Sequence, residues 1–340
     1  MYRILNFPSS DDSISPVIWA LGLTTYMMAT LNTTPDSFSD GGDHVNWDPI
    51  LQYAQRAIEI GSSIIDVGGY STRPGSNFVS VQEERERTAP FIARLRQSGI
   101  RAPISVDTFR ADVALACLKA GANCINDVYA LTGPHEGVAG VDTSHLSTDN
   151  TGVSISDSGA MLSLAACAKV PLILMHSRGL ANKNKDYTSF DGGVIEGVRH
   201  ELGLRAQRAL KAGVRRWNIV LDPGIGFSKS VEDNVCLVKQ HSLLTSGTSK
   251  FAQLDRHLPT APWPSLARFP TLVGTSRKGY LGALLGREAA IREAKTRDWA
   301  TAAAVTSLVQ QRADIVRVHA VEPMRDVIKV ADAIWRDKLS

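Results

Sequence analysis

Asp66, Asp107, Asn126 and Asp222 each stand in or at the end of a short apolar run, and the basic residues Arg277, Lys278, Arg317 and His319 are placed in the same way. Arg73 belongs with the second group, in the turn GGYSTRPGS that follows the run containing Asp66. Basic donors beside glycine-rich turns suit a ligand with two or more negative charges, such as a phosphate or pyrophosphate. Carboxylates and an amide set deeper, with no histidine cluster spaced to hold a metal, suit a nitrogen heterocycle whose N–H and NH2 groups donate to them. Taken singly, each residue has a plainer explanation: an Asp after a strand caps a helix, and an Arg is a solvated charge. Their recurrence at equivalent points along the chain is what points to one shared site.

Those points are set by alternating elements. Apolar runs at 26–31, 63–67, 104–106, 124–126, 171–175, 219–221, 271–273 and 315–318 read as strands. Helical patterns lie between and after them at 48–60, 81–97, 110–119, 158–168, 194–212, 231–240, 297–311 and 323–337. Asp48-Pro49 and Glu322-Pro323 are helix starts, and Gly61, Gly99, Gly121 and Gly213 close helical patterns. Eight strands each followed by a helix predict an α/β fold, a (β/α)8 TIM barrel, with an open doubly wound sheet as the competitor. Every strand then delivers polar groups at its C-terminal end, the face where barrel active sites lie. Two stretches break the rhythm, 133–157 and 241–269, and read as surface loop insertions. The charged run Glu83-Glu84-Arg85-Glu86-Arg87 reads as a solvated helix face.

Composition narrows the classes. A net charge of +3 over 340 residues gives no case for nucleic acid. The four cysteines, Cys117, Cys124, Cys167 and Cys236, sit in apolar segments without a C-x-x-C pair, as buried reduced thiols of an intracellular protein do. No apolar run approaches the roughly 20 residues that span a bilayer. The N-terminus lacks the charged and apolar regions of a secretory signal. Gly224-Ile-Gly226 lacks the third glycine of a dinucleotide fingerprint, and the chain has no G-x-x-x-x-G-K-[ST] motif.

In series, LNTTPDSFSDGG, STRPG, SVDT, IND, LDPGIGF, TSRKG and VRVH resemble the dihydropteroate synthase family of pterin-binding barrels, in the family's order and over residues 24–337 apart from the insertions. The surroundings look most like the fungal versions, where this enzyme is the C-terminal part of a fused folate-biosynthesis polypeptide. On that resemblance residues 1–20 are an N-terminal extension or linker remnant, and 21–340 a single domain. The family condenses 6-hydroxymethyl-7,8-dihydropterin pyrophosphate with p-aminobenzoate, releasing pyrophosphate, and is a sulfonamide target. The resemblance implies that Asp107, Asn126, Asp222 and Lys278 hold the pterin. Asn32, Arg73, Arg317 and His319 match the pyrophosphate site, with Asn32 also beside Mg2+. Thr72, Arg73, Pro74, Phe227, Lys278 and Gly279 match the p-aminobenzoate pocket. Asp107, Asp222, Lys278 and Arg317 are the residues expected to carry catalysis, by an SN1-like step in which a ring carbocation is trapped by the aniline nitrogen. The loops 32–42 and 70–77 match two loops that close over the substrates. Tyr70 stands where many bacterial members carry Glu, and Gly279 where many carry Ser after the lysine.

The resemblance also implies a homodimer, cytoplasmic localisation with mitochondrial association as the alternative, and possible partners among upstream folate enzymes. Two other functions remain open at this point: a pterin-binding methyltransferase, which has no need of a pyrophosphate site, and a catalytically silent barrel supporting a fused enzyme.

Overall fold

The computed structural model describes residues 3–9, 15–33, 47–70, 78–132, 159–179, 189–190, 192–246 and 265–336. A hairpin comes first, β1 (Arg3–Phe7) and β2 (Val17–Leu21). The barrel strands follow as β3 (Tyr26–Asn32), β4 (Ile64–Gly68), β5 (Ile104–Asp107), β6 (Cys124–Asp127), β7 (Leu172–Met175), β8 (Ile219–Asp222), β9 (Leu272–Val273) and β10 (Ile315–Val318). Between them lie α1 (Asp48–Ile60), α2 (Val81–Gln97), α3 (Ala111–Lys119), α4 (Ala160–Ala168), α5 (Val194–Lys211), α6 (Val231–Lys239), α7 (Gly279–Leu285), α8 (Glu288–Arg292), α9 (Asp298–Gln310) and α10 (Val321–Trp335).

The barrel strands pair in the order β8-β7-β6-β5-β4-β3-β10-β9, in parallel at every step. A parallel bridge from Leu221 to Thr271 joins the two outer strands, so the sheet closes on itself. The expected (β/α)8 barrel is what the chain forms, and every strand expected from the sequence is present. The expected closing glycines hold too, since Gly61, Gly99, Gly121 and Gly213 all take positive φ just past a helix; Ser80, not singled out in the sequence, caps α2 by accepting from the Glu83 N–H at 3.1 Å. The short helices α7 and α8 were not expected, because GYLGALL and EAAIR are too brief to show a helical period.

Residues 1–20 were expected as an N-terminal extension or linker remnant, and the described part of them is an ordered hairpin. β1 and β2 pair antiparallel and turn Leu5, Phe7, Trp19 and Leu21 onto the barrel floor. There they meet Met28, Ile64, Cys124, Ile173, Val220, Leu272 and Ile315, one residue from each of seven barrel strands. Arg3 locks the hairpin down, donating to Asp314 Oδ2 at 2.9 Å and to the Phe269 carbonyl at 3.1 Å. The floor is therefore packed shut, and the opposite end is left for the chemistry.

Three expectations need correcting. Both described ends of the 241–269 stretch are anchored rather than on the surface: His241, Leu244, Leu266 and Phe269 are buried, and His241 Nε2 lies 3.0 Å from Thr271 Oγ1. The 133–157 stretch lies outside the described residues. Glu84 is not part of a solvated face, since it shares the inner stripe of α2 with Thr88, Phe91 and Leu95 and pairs with Arg110 in the interior. Burial pushes its carboxyl up from the usual range, and Arg110 opposes the rise. Finally Cys167 is exposed, while Cys117 and Cys124 are buried as expected.

Candidate active site

The register brings the polar strand ends together in layers. Asn32, Gly68, Asp107 and Asn126 are successive partners across β3, β4, β5 and β6. One layer deeper, Thr30, Asp66 and Ser105 are partners in turn. Across the barrel Arg317 of β10 reaches both layers. Its Nε donates to Asp66 Oδ2 at 2.6 Å and its Nη2 to Asp107 Oδ2 at 2.8 Å. Asn126 Nδ2 donates to the same Asp66 oxygen at 3.1 Å.

This is a charge layer of two carboxylates around one guanidinium. Burial and the neighbouring Asp66 raise the Asp107 carboxyl above its usual range, against the pull of Arg317. Its side chain keeps 16% exposure, so water moderates that rise. The opposite oxygen of Asp66 is buried without a protein partner among the described residues, as are Thr30 Oγ1 and Ser105 Oγ beside it. Asp66, grouped from the sequence with the deeper acids, anchors Arg317 through Oδ2.

β8 delivers the third acid. Asp222 Oδ1 accepts from the Gly224 N–H at 2.8 Å, which points the carboxylate from a tight Asp-Pro-Gly turn. Burial pushes Asp222 up to about 6, while the Gly224 N–H and the charges of Lys278, Lys229 and Arg317 pull it down. Only glycine fits at 224: φ is +66°, and a Cβ there would lie 1.9 Å from the His176 carbonyl oxygen. Phe227, at the end of this turn, packs with Phe109 on Val128, Tyr129 and Met175. Lys278 Nζ sits 3.9 Å above the Phe227 ring centroid, a cation–π contact at the mouth.

The remaining expected residues divide. His319 accompanies the cluster, its Nδ1 3.1 Å from Ser276 Oγ and its carbonyl accepting from Tyr53 Oη at 2.9 Å. Gly279 opens α7 with open space where a Cβ would stand. Arg277, expected as a basic group of the mouth, is tied by two bonds of 2.7 and 2.8 Å to Asp298. Thr72, Arg73 and Pro74 lie outside the described residues.

Sequence reasoning missed a second buried network behind Asp222. His176 Nε2 lies 3.0 Å from Glu201 Oε2, and its Nδ1 2.9 Å from Lys229 Nζ. Arg178 Nε donates to Glu201 Oε1 at 2.9 Å. The glutamate lies 25 residues and the lysine 53 residues from the histidine. No local pattern could link them.

The pterin binding enzyme family matches residues 28–319. A dihydropteroate synthase of Synechocystis sp. is 38% identical over 325 residues, covering 95% of this chain and 94% of that protein. The folic acid synthesis protein fol1 of Schizosaccharomyces pombe is 39% identical over 308 residues, but this chain spans only 36% of it. Among solved structures, a Xanthomonas albilineans dihydropteroate synthase with 4-aminobenzoic acid superposes with a TM-score of 0.72 at 32% identity, covering 96% of this chain and 98% of that one. A Yersinia pestis dihydropteroate synthase with a sulfonamide drug complex gives 0.73 at 29% identity, covering 97% and 99%. By that match over most of its length, the chain belongs to the pterin binding enzyme family, among the dihydropteroate synthases.

Proposed function

We propose that the charged mouth of the barrel condenses 6-hydroxymethyl-7,8-dihydropterin pyrophosphate with p-aminobenzoate to give 7,8-dihydropteroate and pyrophosphate. The observation that carries this assignment of residues is the convergence of Asp107, Asn126, Asp222, Lys278 and Arg317 on one barrel end whose other end is packed shut. Asp107, Asn126 and Asp222 accept from the ring N–H and NH2 groups of the pterin, with Lys278 beside them. Arg317 Nε and Nη2 are engaged by Asp66 and Asp107, and its Nη1 is assigned to the diphosphate with Arg73, His319 and Asn32. Thr72, Arg73, Pro74, Phe227, Lys278 and Gly279 are assigned to p-aminobenzoate.

The C–O bond to the exocyclic pterin carbon breaks, and its electron pair leaves with the diphosphate. Asp222, facing the guanidine-like edge of the ring, stabilises the positive charge left behind. The aniline nitrogen then forms the C–N bond and releases a proton. Its lone pair is nucleophilic as it stands, so no activated serine or cysteine is needed.

Among the described residues no group of three or more acidic, histidine or cysteine ligands could hold a metal. Asn32, whose side-chain amide oxygen is a hard donor, is the residue assigned to an Mg2+ of the kind that keeps several waters and is held mainly by substrate phosphates. When bound, the ion would offset charge on the departing diphosphate.

Pyrophosphate release from the pterin substrate and Mg2+ is expected to require p-aminobenzoate and to fall roughly 10²–10³-fold in Lys278→Ala. Release without the aniline, or an unaffected variant, would sink the assignment. Methyl transfer from a reduced folate would favour the methyltransferase reading instead. Gly279→Ser should be accommodated without loss of stability and, by adding one hydroxyl donor, should lower the p-aminobenzoate KM by about fivefold, near 1 kcal/mol. An unchanged KM would remove residue 279 from that pocket.

A further inference from the structure

The turn between Asp222 and Ser228 is gripped by a side chain that the proposed chemistry does not use. Lys229 Nζ donates to the Phe227 carbonyl at 2.8 Å, to the Gly224 carbonyl at 3.1 Å and to His176 Nδ1 at 2.9 Å. An ammonium has three N–H donors, and here three acceptors surround it. Because an ammonium cannot accept, the bond to Nδ1 fixes His176 as the tautomer with its proton on Nε2, where Glu201 Oε2 receives it at 3.0 Å. Burial, then the adjacent Lys229 charge, push His176 down to about 3, so the ring stays neutral. Burial opposes ionisation of Glu201, but the His176 and Arg178 hydrogen bonds and the Arg205 charge hold it well below the usual carboxylate range.

We infer that Lys229 is a positioning residue for the proposed pterin pocket, holding the Asp222–Phe227 turn against His176 and setting a positive charge behind the Asp222 carboxylate. The inference rests on the reading that Asp222 receives the pterin. Two further contacts bind turn and histidine into one unit: the His176 N–H donates to the Asp222 carbonyl at 2.8 Å, and Gly224 approaches the His176 carbonyl too closely for any side chain. The grip on the Phe227 carbonyl extends the effect to the ring beneath Lys278.

A purely structural tie would share this geometry, so the discriminating readout is pH. The charges acting on Lys229 are Asp222 and Glu201 on one side and Arg205 and Arg178 on the other. Those acting on Asp222 are Lys278, Lys229 and Arg317. Burial has raised Asp222 to about 6, so its carboxylate form, the one that accepts from the pterin, is lost as pH falls through that value. Pterin affinity should therefore drop tenfold per unit below about 6. Lys229 is itself pushed down to about 7 by burial, so it is protonated throughout that acid limb. Removing its charge must raise Asp222 further and move the limb upward.

The test is calorimetric titration with 6-hydroxymethyl-7,8-dihydropterin, from pH 5 to 8, on the wild-type chain and on Lys229→Gln, Lys229→Met, Lys229→Arg and Asp222→Asn. Lys229→Gln keeps a donor but no charge, and it serves where the Met variant does not fold. The expected result is an acid limb shifted up by roughly 1 pH unit in the neutral variants and returned toward its original place in Lys229→Arg. A limb that stays put in Lys229→Gln, whatever the uniform loss of affinity, overturns the inference and leaves a structural tie. Undiminished pterin binding in Asp222→Asn would instead overturn the pocket reading on which it rests.

Discussion

Arg317→Met is expected to lose about 3–5 kcal/mol of folding stability and roughly 10²–10³-fold in kcat/KM. The stability loss follows from what Arg317 holds. Asp66 is fully buried and Asp107 largely so, and the guanidinium is hydrogen-bonded to both. Removing it leaves two carboxylates facing each other in the interior, a worse state than having no charges there at all. The double variant Asp66→Asn with Arg317→Met should therefore regain part of the stability without regaining activity. Arg317→Lys should fall between, because a point charge cannot engage both acids with a fork. The sign with pH is also set. Burial and Asp66 already raise the Asp107 carboxyl, and Arg317→Met removes the guanidinium that opposes the rise, so the native state binds a proton preferentially there and the variant's deficit shrinks as pH falls toward 4. Denaturant unfolding across that range checks it, and a deficit independent of pH would show that the lost stability is packing rather than charge.

Trp19→Ala should cost about 3–5 kcal/mol while leaving kcat within about twofold. Trp19 stacks on Tyr26 with ring centroids 4.1 Å apart and lies 4.5 Å from Phe7, all on the floor of the barrel. Truncating it opens a void at the junction of hairpin and barrel, at the end remote from the charged mouth. Ile18, its neighbour in β2, points the other way and is 61% exposed, so Ile18→Ala should stay within about 0.5 kcal/mol. Thermal unfolding and steady-state kinetics on the pair separate the two faces of one strand. If kcat fell with stability in Trp19→Ala, floor and mouth would not be the independent layers described above.

The barrel was legible because the strands are short, largely apolar runs, and several helices carry their own start or stop residues. The polar strand ends were legible as a set for the same reason: once the strands are placed, the residue after each one is placed too. The hairpin was not. RILNF and VIWAL alternate inward and outward over only five residues each, and their burial depends on a floor assembled from seven other segments. Lys229 was illegible for a different reason. Two of its three acceptors are backbone carbonyls, which carry no sequence signature, and the third is a histidine far back in the chain. Arg277 looked like Lys278 in sequence, yet a left-handed backbone at φ 59° accompanies its turn to Asp298, while the next residue stays at the mouth.

The Arg3–Asp314 contact sets a clock on synthesis. The two residues are 311 positions apart, and the Leu5, Phe7, Trp19 and Leu21 surface beside Arg3 is covered partly by Leu272 and Ile315. At about 5–20 residues per second, a ribosome finishes Asp314 roughly 15–60 s after Arg3. Until then the hairpin's apolar face lacks part of its cover and Arg3 lacks its carboxylate partner. The first described segment to be made is thus among the last to be satisfied, and the growing chain has to keep it from finding a substitute.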